Sequence, residues 1–155
     1  MRRLSDWLDE YGVSHRHPLN ELLHFICVPA IVLSILGLLW AIPVPRELAA
    51  VSPWVNWATL TAALVLVYYL VLSRPLAFGV LTVFVLMLLA VRGLAALSYP
   101  LWATCLVIFV VAWIGQFIGH AVEGRRPSFF RDVQFLLIGP IWLLAAAYRR
   151  FGWRY

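Results

Sequence analysis

Long apolar runs, separated by short clusters of proline, glycine, serine and arginine, set the pattern of this chain. Four runs cover residues 22–42, 54–72, 76–91 and 97–119. Each approaches the roughly 20 residues that an α-helix needs to cross the hydrocarbon of a bilayer. The third is short, with Arg74 and Arg92 at its boundaries positioned to snorkel. Pro43, Pro45, Arg46, Glu47 and Pro53 interrupt the first connection, while Ser73-Arg74-Pro75 and Arg92-Gly93 predict two tight turns. Open strands leave backbone groups unsatisfied in lipid, so the runs predict helical hairpins. The expected fold is all-α: a polytopic transmembrane helical bundle of four to five membrane segments, forming one membrane-embedded domain over residues 1–155. A fifth run, 133–148, holds Gln134 and Gly139-Pro140 and follows Arg131 and Asp132. It reads either as a fifth span or as a re-entrant segment.

Composition supports the membrane class. With 64% hydrophobic residues and a mean hydropathy of +0.91, the chain carries more apolar surface than a soluble core of its size could hide. About twenty hydrophilic residues precede the first run and no small-residue cleavage site follows it, so that run is expected to persist as a span rather than act as a leader. All 12 basic residues are arginine. After four crossings Arg2, Arg3, Arg16, Arg74, Arg125, Arg126 and Arg131 share the side of the amino terminus, and Arg46 and Arg92 lie opposite. A re-entrant fifth run adds Arg149, Arg150 and Arg154 to the first group, for ten against two; a spanning one gives seven against five. Either count makes the amino-terminal side cytoplasmic. These arginines suit anionic headgroups or a substrate carboxylate, or they signal topology alone. They are too scattered for a nucleic-acid surface, and no nucleic-acid partner is expected. The short, lysine-free, Ala/Leu-rich chain reads as an integral protein of a bacterial inner membrane.

The four histidines fall in two places: His15, His17 and His24 before and at the start of the first run, and His120 at the end of the fourth. An even number of crossings brings both groups to one membrane face, whereas an odd number would separate them by about 30 Å of hydrocarbon. His17, Asn20 and His24 recur at helical spacing, although Pro18 places the helix start near itself and leaves His15 and His17 in the preceding turn. Gln116, His120 and Glu123 share a second helical stripe, and Gly124 predicts its end. Imidazole is a common ligand for first-row transition metals, and a nearby carboxylate either completes an open site or orients an imidazole. Interfacial polar residues are the alternative reading of the same histidines. Cys27 lies one turn past His24 and reads as a ligand or a small packing residue; Cys105 is too deep to join. Walker, G-x-S-x-G, H-E-x-x-H and dinucleotide motifs are absent. Ser14 and Ser128 flank the two groups as ordinary loop serines.

The stretch YGVSHRHPLNELLHFICVP, with WIGQFIGHAVEGRRPSFF far downstream, resembles the membrane family of 2-hydroxy fatty acid dioxygenases typified by the yeast enzyme of sphingoid-base degradation. The matching pattern is Tyr11, His15, Pro18, Asn20, His24 and Pro29, then Gln116, Phe117, Gly119, His120, Glu123, Arg125 or Arg126, and Pro127. The resemblance implies an Fe(II)-dependent α-oxidation in which a 2-hydroxy fatty acid reacts with O2 and leaves one carbon shorter, without 2-oxoglutarate. It also implies His15, His24 and His120 as iron ligands, Glu123 as a further ligand or supporting base, and Asn20 and Gln116 as orienting residues. Arg125 or Arg126 would neutralise the substrate carboxylate, on the cytoplasmic face, with the acyl tail between the helices. His17 has no counterpart in the pattern; it is a fourth ligand, a proton relay or a surface residue. Two other classes stand beside the enzyme: a non-catalytic membrane metal-binding or transport protein, and a scaffold or assembly protein.

Overall fold

The computed structural model describes residues 3–128 and 133–155 and contains, among them, seven helices and no strand. These are α1 (Leu4–Gly12), α2 (Pro18–Ala41), α3 (Arg46–Ala49), α4 (Trp57–Leu72), α5 (Arg74–Ala95), α6 (Leu101–Glu123) and α7 (Phe135–Arg150). Arg2 and Arg131 of the charge count, and Asp132 before the fifth run, lie outside the described residues.

Local chemistry sets the boundaries. Pro18 occupies the first turn of α2, where its missing N–H removes no helical bond. Ser73 ends α4 and starts α5, its hydroxyl accepting the Leu76 amide at 3.4 Å, so two helices meet across one residue. Gly124 closes α6 with φ 69°, and the Arg125 amide returns to the His120 carbonyl at 3.2 Å. The turn expected at Arg92-Gly93 is not there. α5 continues to Ala95 and reaches 22 residues, so the third run is not short. A glycine costs about 1 kcal/mol inside a helix, less than unpairing backbone groups in lipid, and Gly93 faces open space with nothing that demands a bend. The Arg92 guanidinium lies over the Trp54 ring at 5.1 Å.

The result is a polytopic transmembrane helical bundle. α2, α5 and α6 are long and apolar enough to cross a membrane, and α4 is a shorter apolar helix of 16 residues. α2 sits at the centre, with α6 on one flank and α4 and α5 on the other. It runs antiparallel to α6 on small-residue contacts. A Cβ on Gly119 would lie 2.5 Å from Asn20 Oδ1, and one on Gly115 would lie 2.6 Å from Cys27 Sγ. Backbones approach this closely only where glycine leaves the space. Cys27 is therefore a packing residue here, and Cys105 meets Gly37 deeper along the same seam; both cysteines are free.

α7 lies across the histidine end of the bundle. Near its start the Leu137 carbonyl accepts the Tyr69 hydroxyl at 2.6 Å, and near its end Tyr148 donates to the Pro75 carbonyl at 3.2 Å. Tyr69 and Pro75 belong to the same α4–α5 hairpin end. α1 covers α7 from the other side, with Trp7 edge-on to Phe135 at 5.3 Å. The hydrophilic lead-in expected before the first run thus contains a helix that buries Trp7, Leu8 and Tyr11 on one face.

Candidate metal centre

His15, His24 and His120 converge at this end of the bundle, each buried, with one ring nitrogen from each within 4.8 Å of the others. His15 comes from the turn after α1, His24 from the second turn of α2 and His120 from the last turn of α6. The close α2–α6 seam at Asn20 and Gly119 brings the latter two together.

Two tautomers are fixed by the backbone. His15 Nδ1 lies 2.6 Å from the Tyr11 carbonyl and His24 Nδ1 lies 3.0 Å from the Asn20 carbonyl. A carbonyl only accepts, so each Nδ1 carries the proton and each neutral ring leaves Nε2 as a bare lone pair. Those two Nε2 atoms face one another at 2.8 Å. Two lone pairs at that distance repel unless a cation lies between or beside them. His120 adds a third buried ring whose Nδ1 has no hydrogen-bond partner among the described residues. Ring N–H donation to a carbonyl, with the other nitrogen turned inward, is the usual posture of a metal-ligating histidine. Burial also holds the His15 pKa below its ordinary 6.5, against the smaller opposing effects of the Tyr11 carbonyl and Glu123, which keeps the ring neutral as ligation requires.

The surrounding residues hold these rings in place. Tyr11 stacks on His15 with centroids 4.2 Å apart and planes 12° from parallel. Trp142 of α7 lies 5.4 Å from the same ring. Ser14 and Ser128 share a hydrogen bond of 2.8 Å that joins the turn before α2 to the loop after α6. Nothing in the sequence distinguishes these serines from ordinary loop residues, and no local signal marks Trp142 as a neighbour of the site.

Glu123 accepts the Arg16 amide at 3.1 Å, the His17 amide at 2.7 Å and Asn20 Nδ2 at 3.2 Å. Its carboxylate is thus occupied in tying the His15 turn to α6, with no imidazole among these donors. Asn20 Nδ2 also donates to the Ser14 carbonyl at 3.0 Å, so this fully buried side chain spans both pieces of the site. His17 stays outside the cluster. It is exposed and caps α2, its Nδ1 accepting the Leu19 amide at 3.2 Å. Arg125 and Arg126 are exposed on the loop after α6, and neither lines the cavity described next.

A cavity of about 250 Å³ begins at His24 and His120 and follows the α2–α6 side into the apolar layer as far as Ile35 and Phe109. From His24 to Ile35 this is roughly 16 Å at 1.5 Å per helical residue. Gln116 lines it one turn before His120, buried, with Nε2 unpartnered among the described residues. Apart from the histidines, Tyr11, Ser128 and this amide, the walls are apolar.

Residues 1–151 match the family model described as 2-hydroxy-palmitic acid dioxygenase Mpo1-like. The chain is also similar to the 2-hydroxy-palmitic acid dioxygenase MPO1 of Saccharomyces cerevisiae, with 30% identity over 146 residues that cover 91% of this chain and 77% of the yeast protein. No solved structure matches it. A three-histidine pocket at the end of a membrane bundle and a match along nearly the whole sequence agree, and the chain belongs to the Mpo1-like family.

Proposed function

We propose that this protein is a non-haem Fe(II)-dependent dioxygenase that shortens 2-hydroxy fatty acids by one carbon. The observation that carries the metal reading is the pair of Nε2 atoms facing one another at 2.8 Å, each on a ring whose Nδ1 lies against a backbone carbonyl, beside a third buried imidazole. Three neutral imidazoles leave further coordination positions open, as a site that binds substrate and O2 needs. Ferrous iron held by His15, His24 and His120 would supply Lewis acidity toward a 2-hydroxycarboxylate and redox chemistry toward O2. The name of the yeast relative and the apolar cavity under the histidines support a fatty acyl substrate.

The overall reaction balances without a cosubstrate. One 2-hydroxy acid and one O2 give the acid one carbon shorter, CO2 and water. The C1–C2 bond breaks, the substrate gives up four electrons and O2 takes four. The lack of a 2-oxoglutarate requirement follows from that balance, since no electrons remain to be supplied.

The chain's own residues position the reactants. Glu123 and Asn20 fix the His15 turn against α6, and Tyr11 stacks on the His15 ring. The apolar cavity receives the alkyl chain, excludes water and leaves the polar head beside the histidines. Gln116, whose buried amide lies in the cavity wall beside the Cys27 thiol, is placed to donate to a carboxylate or hydroxyl oxygen of the head. Arg125 and Arg126 attract anionic substrate from the membrane surface rather than gripping it inside. The arginine distribution supports a cytoplasmic position for this end.

The test is turnover by purified protein supplied with Fe(II), O2 and 2-hydroxypalmitate. The expected result is pentadecanoic acid and CO2 in equal amounts with one O2 consumed for each. Iron-loaded, folded protein that leaves 2-hydroxypalmitate unchanged would contradict the proposal.

A further inference from the structure

On the far flank of α2 lies a second cavity, about 420 Å³, between α2, α4 and α5. Its walls include Ala62 on α4 and Phe84 and Met87 on α5, and the hydroxyl of Tyr69 at its edge is already bonded to the Leu137 carbonyl. It has no titratable cluster, and apart from Thr61 and Tyr69 its lining is apolar. The two cavities share a boundary: Val28, Val32 and Ile35 on one ridge of α2, with Leu136 and Pro140 of α7, line both. They are neighbouring chambers divided by a row of aliphatic side chains.

We infer that the second chamber receives the distal alkyl chain of the substrate and sets the preference for long chains, an inference that rests on the dioxygenase reading of the histidine site. Two observations favour this occupant. Ligand sites for molecules of moderate size begin near about 300 Å³, so the first chamber alone is small for a long acyl chain and the joined chambers are ample. The second is the position of α7. Leu136, Leu137, Pro140 and Leu144 close the histidine end of the second chamber, where a bilayer lipid entering with its tail would have to place its headgroup. A polar head has its place at the histidines, on the other side of the ridge. On this ridge Ile35 and Leu136 are exposed and Val28 and Val32 half-buried, so no side chain of the row is locked in the core.

The inference is tested with a long-chain 2-hydroxy fatty acid bearing a diazirine at its terminal carbon, added to the full-length protein in lipid nanodiscs. Photolysis should attach the probe to α4 or α5 near Ala62, Phe84 or Met87, and excess 2-hydroxypalmitate should suppress that attachment. In Ala62→Phe, which fills the chamber, the ratio of long-chain to short-chain kcat/KM should fall by at least about tenfold while 2-hydroxyoctanoate turnover is kept. Labelling confined to Phe109 and Trp113 on the α6 side, suppressed by 2-hydroxypalmitate, would overturn the second-chamber inference and leave the dioxygenase reading standing. Labelling of α4 and α5 that 2-hydroxypalmitate does not suppress would assign the chamber to bilayer lipid and overturn it as well. Absence of suppressible labelling anywhere, together with absence of turnover, would overturn both. The wild-type labelling pattern decides the matter even if Ala62→Phe fails to fold.

Discussion

At the residue scale the site rests on three rings and the groups that aim them. His24→Ala removes the imidazole whose lone pair meets that of His15, and turnover should drop to background with bound iron lost on dialysis. His17→Ala should retain iron, because its ring caps α2 outside the cluster. Glu123 separates two roles. It holds three N–H donors, so Glu123→Gln, which keeps an acceptor oxygen, should retain iron and lose activity by about 10–100-fold. Metal analysis of the folded variant checks this; complete iron loss would make Glu123 a ligand. Gly119→Ala places a methyl against Asn20 and should destabilise the protein by about 1–3 kcal/mol, seen as a lower unfolding midpoint in detergent. The histidines were legible in the sequence because they are so few and because parity of crossings brings them to one face. Ser14 and Ser128 were not, since their bond joins residues 114 apart and ordinary serines give no local sign of it.

At the element scale, strong periodic or punctuated segments were readable and context-dependent ones were not. Pro18 and Gly124 announced the start of α2 and the end of α6 because proline's ring fixes φ and glycine's missing Cβ permits the positive φ that closes a helix. Arg92-Gly93 misled, since the same residues inside lipid cost less as helix than as a broken one. α1 was hidden by its charges, although its buried face is only Trp7, Leu8 and Tyr11. The status of the fifth run depended on what it packs against, which no local pattern contains. The contacts of α7 with Tyr69 and Pro75 predict that single cysteines at the exposed Arg125 and Gly152 positions react with an impermeant reagent from one side of the membrane. A cysteine at Arg46 should react from the other side. Opposite labelling of Arg125→Cys and Gly152→Cys would mean that α7 crosses.

At the scale of the whole molecule, four helices of the bundle carry a small polar site at one end, and α1 and α7 cover that end without sealing the cavity beneath it. The family match covers residues 1–151, so it takes in all three histidines and the segments that hold them. The central claim is that three histidines distant in sequence hold one iron ion. X-ray absorption at the iron edge, on protein loaded with one equivalent of Fe(II), tests it most directly. The spectrum should show imidazole scattering from three rings in the wild type, reduced by one ring or abolished in each of His15→Ala, His24→Ala and His120→Ala. Iron bound without imidazole scattering, or an unchanged spectrum in any one of those folded variants, would contradict the account.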